Sequence, residues 1–346
     1  MASLEMLNRY DHIPDALLTC NVRDVYKLLG GPSLFYLQGR RGPPLFVTVL
    51  QHGNEPTGFD AIQSILRRYQ GKQLPRSMWL FIANVEAASE GLRVKDGQAD
   101  YNRVWPGTEL AGPEEVSLMQ QVVSTVTASP LFASVDLHNN TGCNPHYGCI
   151  NELKIPFLHL ASLFARTTVF FQQPVGVQSL AMARHCPAIT LECGQAGENA
   201  ALEHAVEFLE ACLHLHHLPE HAPSPHDINL LHTVATAKMR PGVTFGFDDT
   251  GVDVVFRSDL DHFNFGVLEK GSVLGQLSQR YHEKNMLPFT VCNDAGEDIG
   301  AKLFAIKNNQ MIARHDIVPS MATLDIDVIR QDCLFYVMEQ IDLPTL

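Results

Sequence analysis

Through the first two thirds of the chain, short apolar runs alternate with longer amphipathic stretches. The runs at 45–50 (LFVTVL), 78–85 (MWLFIANV), 133–140 (ASVDLHNN), 167–173 (TTVFFQQ) and 187–194 (PAITLECG) read as strands, several of them apolar at almost every position. Between them, 57–70, 113–128, 155–166 and 198–217 carry apolar residues at helical spacing. Strands greasy on both faces and separated by helices predict an α/β fold, a mostly parallel or mixed sheet with helices on both faces. In such sheets ligands gather beyond the carboxyl ends of the strands. Residues 219–227 (PEHAPSPHD) break all periodicity, and from 229 onward short alternating segments are punctuated by glycine turns. The pattern therefore predicts a first domain over 1–225 and a smaller β-rich domain over 229–346.

Composition sharpens this picture. A chain of 346 residues, 45% hydrophobic and 18% charged, can bury the core of one large domain or two ordinary ones. A net charge of −13 argues against nucleic acid or an anionic membrane as partner, since either calls for a basic face. The opening MASLEMLNRYDH lacks the basic start and apolar stretch of a signal peptide. The longest apolar stretch, near IPFLHLASLFA, is broken by His159 and is too short to span a bilayer. Eight cysteines without a Cys-x-x-Cys pair fit thiols in a reducing cytoplasm. The expectation is a cytoplasmic protein acting on a small molecule, with homo-oligomer formation left open.

Polar residues at the strand ends carry the candidate chemistry. His52 and Glu55 follow the strongest strand, in a glycine-containing loop that opens a helix. Three other His-x-x-acid pairs occur in the chain, so spacing alone means little; position separates this one. A buried strand end is a costly place for an imidazole and a carboxylate unless something binds them. Another strand end supplies Asp136, His138, Asn139 and Asn140. Two histidines and one carboxylate form a familiar ligand set of catalytic zinc, with the fourth position open to water. Asp136, two residues before His138 and on the same side of the strand, is placed to orient that imidazole. Glu192 ends a third strand and has the chemistry of a general base for amide hydrolysis, the alternative being an ion pair in the core. The loop EGLRVKDGQADYNRVWPG adds Arg93, Asp100, Asn102 and Arg103; guanidinium groups there can clamp a carboxylate or stabilise an oxyanion, or simply face solvent.

Taken in order, HGNE, DYNR with an upstream arginine, DLHN and LECG resemble the aspartoacylase/succinylglutamate desuccinylase family, relatives of the zinc carboxypeptidases. The resemblance implies one Zn2+ per chain on His52, Glu55 and His138, Glu192 as general base and Arg93 polarising the scissile carbonyl. It implies that Asn102 and Arg103 hold the carboxylate of a small anionic N-acyl amino acid, with Arg184 reading its side chain and Asn139 in the same pocket. It also implies a C-terminal domain that narrows the entrance. The alternatives are a carboxypeptidase-type enzyme on short peptides and a relative that binds metal without turnover. The chain departs from the aspartoacylases where a C-terminal tyrosine is expected: Ala295, Gly296 and Glu297 stand there, and Tyr281 is the nearest tyrosine upstream. The resemblance thus stops short of the residues expected to read N-acetylaspartate. CNPHYGC (143–149) can line an acyl pocket or pack as an ordinary loop, and the histidines crowding 204–232 read as a solvated helix end and linker, with a second metal site as the alternative.

Overall fold

The apolar runs become strands of one sheet. In the computed structural model, which describes residues 7–112, 114–248, 251–284 and 286–343, the chain divides into two units. One is built from Met1–Asn139 and His146–Asn229, the other from Asn140–Pro145 and Leu230–Asp342. Strands of the first unit are β1 (Asn8–Tyr10), β2 (Ser33–Leu37), β3 (Leu45–Val49), β4 (Met78–Ile82), β5 (Ala133–Asn140), β6 (Tyr147–Ile150), β7 (Thr167–Phe170) and β8 (Ala188–Gln195). They lie in the order β1-β2-β4-β3-β5-β8-β6-β7. Parallel pairs (β1 with β2, β3 with β4 and β5, β6 with β7) join antiparallel ones (β2 with β4, β6 with β8), so the sheet is mixed. Every residue of β3 and β5 is buried, as continuous apolar patterning demands of a sheet covered on both faces.

The main helices of this unit are α1 (Val25–Leu29), α2 (Thr57–Arg68), α3 (Val85–Glu90), α4 (Glu114–Val126), α5 (Ile155–Phe164), α6 (Gln178–Met182) and α7 (Asn199–His214). Ala201, Ala205, Phe208, Leu209 and Cys212 form the buried stripe of α7, recurring at helical spacing. Arg68 and Tyr69, at the end of α2, reach Glu210 of α7 at 2.7 and 2.9 Å. Helix α2 enters close against the sheet. A Cβ on Gly58 would stand 2.7 Å from Leu137 Cβ and 3.1 Å from Val49 Cγ1, so glycine is what permits the approach. Gly58→Ala is expected to destabilise by about 1–3 kcal/mol through overpacking, read as a lowered urea midpoint.

In the second unit, β9 (Asn229–Met239) pairs antiparallel with both β13 (Phe289–Asn293) and β17 (Phe335–Gln340). A separate five-stranded sheet takes β10 (Phe245–Gly246), β11 (Val254–Phe256), β12 (Val273–Leu277), β14 (Phe304–Lys307) and β15 (Gln310–Ala313) in the order β10-β11-β12-β15-β14. Its core is aromatic: Phe289 meets Phe304 edge to face at 5.3 Å, and Phe335 lies 6.0 Å from Phe304. Tyr281 belongs to this core, 1% exposed. Two strands depart from the expected pattern. Ser33–Leu37 pairs with β4, and Tyr147–Ile150 is a strand rather than a loop, its Tyr147 in register with Glu192. Among the described residues no helix is long and apolar enough to cross a membrane.

Candidate metal centre

The end of β3 is shaped by backbone geometry. Leu50, fully buried, takes φ +58°, a costly conformation for a branched residue, and turns the chain out of the strand. Three residues on, a Cβ on Gly53 would run into the backbone of Ala87 and Ala88 in α3, so only glycine lets this loop lie there. The Gly53 amide donates to the Arg93 carbonyl at 3.1 Å, which ties the HGNE loop to the loop that carries the arginine.

The side chains that follow converge. Ligand atoms of His52, Glu55 and His138 all lie within 4.8 Å of one another, and all three residues are buried. Each imidazole turns Nδ1 to the same carboxylate: His52 Nδ1 is 2.8 Å from Glu55 Oε1, and His138 Nδ1 is 2.8 Å from Glu55 Oε2. Each also has its Nε2 held by a second carboxylate, His52 by Asp100 at 3.0 Å and His138 by Asp136 at 2.9 Å. Asp136 is in turn fixed by the Gln51 amide, and Gln51 Oε1 accepts from Trp105 Nε1 at 2.6 Å. The Asn139 amide donates to Glu55 Oε2 at 3.1 Å.

An imidazole anchored at Nε2 by a carboxylate presents Nδ1 as a metal ligand, and the carboxylate fixes its tautomer. With two such nitrogens and a carboxylate oxygen facing one point, the donor set fits a divalent zinc-type cation. Electrostatics point the same way. Burial opposes charge on Glu55, but the imidazoles of His52 and His138 prevail and hold its carboxyl well below the usual range. Burial likewise works against a proton on His138, yet the Asp136 and Glu55 carboxylates keep that imidazole protonated well above its ordinary range. Asp100 is desolvated too, and His52, Arg93 and Arg103 hold it low. Three carboxylates in one buried cluster thus draw in positive charge, which a cation facing the two Nδ1 atoms would supply.

Asp100 is the residue that sequence reasoning placed in the loop without a role. Its Oδ1 accepts from the Asn102 amide at 2.8 Å, capping the 3-10 turn Tyr101–Arg103, while the same oxygen holds His52. The aspartate before a turn was the available signal, since Asp caps such turns. Asp100→Asn is expected to lower zinc affinity about 10–100-fold with the fold retained, measured by competition with a chelating dye.

Of the other predicted residues, Arg93 comes to the cluster: Nη1 lies 3.4 Å from Glu55 Oε1 and Nη2 3.6 Å from Asp100 Oδ2. Glu192 is buried on β8, the strand beside β5. Its neighbour Cys193 has a thiol pushed well up, by burial first and then by the Glu192, Glu55 and Asp136 carboxylates. Asn102 keeps a buried Oδ1 that has no hydrogen-bond partner among the described residues, and Arg103 Nη1 donates to the Asn102 carbonyl at 2.7 Å. Two residues are placed differently. Arg184 is exposed, its guanidinium beside Gly107. The Asn139 side chain is bonded to the scaffold: Oδ1 accepts from the Thr57 amide at 3.1 Å, and Nδ2 donates to Thr57 Oγ1 and the Gly194 carbonyl, each at 2.9 Å. Two histidines of the 204–232 stretch find separate partners: His204 Nε2 bonds the Phe164 carbonyl and His214 lies 3.0 Å from the Tyr69 hydroxyl.

Comparison with known proteins bears on the same residues. Positions 41–217, just over half of the chain, match the succinylglutamate desuccinylase/aspartoacylase catalytic domain. Succinylglutamate desuccinylase from Vibrio parahaemolyticus superposes with a TM-score of 0.58 at 14% identity, covering 89% of this chain and 86% of its own. A succinylglutamate desuccinylase/aspartoacylase from Rhodobacter sphaeroides gives 0.59 at 17% identity, with 89% of each chain covered. Murine aminoacylase 3 gives 0.52 at 15%, covering 87% of this chain and 97% of its own. At these identities the superpositions establish the fold. No curated protein sequence matches significantly.

Proposed function

This chain belongs to the succinylglutamate desuccinylase/aspartoacylase family, and from that premise we propose that it hydrolyses the amide bond of a small, anionic N-acyl amino acid with one catalytic zinc ion per chain. The observation that carries the reading is the pair of Nδ1 atoms, each 2.8 Å from Glu55 and each on an imidazole anchored from behind by a carboxylate. His52, Glu55 and His138 would hold the metal. When bound there, zinc supplies Lewis acidity, which acidifies a water and polarises a carbonyl.

The remaining work falls to the chain. Glu192 takes the proton of the attacking water at its carboxylate and returns it to the departing amine nitrogen. Arg93, with Nη1 3.4 Å from Glu55 Oε1 and Nη2 3.6 Å from Asp100 Oδ2, stands beside the ligand cluster and donates to the oxyanion as it forms. Asn102 and Arg103 bind the carboxylate of the amino-acid part, and the buried Oδ1 of Asn102 is kept for a ligand N–H. Arg184, exposed beside the loop that carries Arg103, meets the substrate side chain only at the rim. In a chain of net charge −13, these guanidinium groups provide the local positive field an anionic substrate needs.

A panel of N-acyl amino acids differing in acyl length and side-chain charge, run beside dipeptides with zinc present, tests the reading. Turnover of acylated amino acids in preference to dipeptides is expected. Preference for dipeptides would instead make the enzyme a peptidase, and no hydrolysis of any compound would remove the catalytic reading.

A further inference from the structure

One other group of side chains among the described residues has the chemistry of a metal site. Ligand atoms of Cys143, Asp261 and His262 lie within 4.8 Å of one another. All three residues fall in the second unit, Cys143 in its 140–145 segment and the other two in the 3-10 turn Leu260–Phe263. Cys143 takes no part in a disulfide.

Asp261 is the informative member. Only 6% exposed, it is a carboxylate placed where each oxygen calls for a partner. Oδ2 accepts from the Cys143 amide at 3.3 Å. Oδ1 is buried and has no hydrogen-bond partner among the described residues. A cation supplies what that oxygen lacks, and a thiol and an imidazole stand within coordinating reach of the same carboxylate.

The backbone holds the three in place beforehand. Gly142 lies so close to the Ala322 carbonyl that no side chain fits there. Asn264 brackets Ala322, donating from Nδ2 to its carbonyl at 2.8 Å and accepting its amide on Oδ1 at 2.9 Å. Asn144 Oδ1 accepts from the Met321 amide at 3.1 Å, and Thr141 meets Thr323 through their hydroxyls at 2.9 Å. A site whose scaffold is already fixed binds metal without ordering a loop at the same time.

We propose that Cys143, Asp261 and His262 bind a second divalent transition metal, distinct from the one held by His52, Glu55 and His138. Sulfur, imidazole nitrogen and one carboxylate oxygen make a borderline donor set that selects zinc over magnesium or calcium. The thiol gives up its proton on binding. Three protein ligands leave the fourth position to water. The consequence is mechanical: the metal fastens the 140–145 segment to the 260–263 turn. In the chain, that segment begins two residues after His138.

Cobalt titration of the full-length, freshly reduced protein tests this, because only a sulfur ligand produces a thiolate-to-cobalt charge-transfer band. The His52–Glu55–His138 group contains no sulfur and cannot produce it. The wild-type chain is expected to bind two equivalents of cobalt, one of them with the band. Cys143→Ser and His262→Ala, both at exposed positions, should each lose the band and one equivalent while keeping the other. A chain that binds one equivalent with the band would support this site and count against the first. Absence of the band in the wild type, or its persistence in both variants, would overturn the proposal.

Discussion

Replacing Glu192 with glutamine is expected to lower kcat about 100- to 10,000-fold while leaving one zinc bound at the catalytic site. Glutamine keeps the shape and hydrogen-bonding reach of the side chain but can neither take a proton from water nor give one to nitrogen. Because Glu192 sits on β8 in register with Tyr147, the exchange does not disturb the pairing of β6 and β8. KM should change little, since the glutamate is assigned to the chemical step and not to holding substrate. Steady-state kinetics beside metal analysis of the same preparation checks this. Unchanged turnover in the variant would show that another group is the base.

His138→Ala should have a larger and different effect. It removes one of the two Nδ1 donors, and the zinc of that site should be lost on dialysis together with turnover. It also leaves Asp136, fully buried, without the imidazole at 2.9 Å, and takes from Glu55 Oε2 the Nδ1 that stands 2.8 Å away. Breaking a buried charge pair by removing one partner costs about 3–5 kcal/mol, because the remaining charge stays desolvated. Denaturant unfolding with a chelator present should therefore show the variant less stable than the metal-free wild type. Equal stability would mean that the imidazole, without metal, is not balancing those carboxylates.

Much of this was legible because a polar residue inside an apolar run needs a reason. LFVTVL ending in His52 and Glu55, ASVDLHNN ending in His138, and PAITLECG ending in Glu192 all announce strand ends with chemistry, and the first two meet in one buried group that could hold a metal. The same patterning marks strands buried on both faces, so β3, β5 and β8 were readable from hydrophobicity alone. Shorter elements were not. Tyr147–Ile150 holds a glycine and a cysteine behind a proline-containing loop, and its strand character comes from its neighbours β7 and β8. Pairings across long stretches of chain leave no local trace either. Nothing in DYNR says that Asp100 supports His52, 48 positions away. Asn139 looks like a substrate ligand by its position beside His138, whereas its amide is committed to Thr57 and Gly194. Adjacent residues on a strand point to opposite faces, and that alternation separates Asn139 from His138.

The central claim is that two imidazoles and one carboxylate hold a catalytic metal. Its most direct test is elemental analysis of the Cys143→Ser chain after zinc loading and dialysis, with deacylation assayed on the same sample. One zinc per chain, with activity lost on chelation and restored by adding the metal back, is the predicted result. A fully active chain that retains no metal would contradict it.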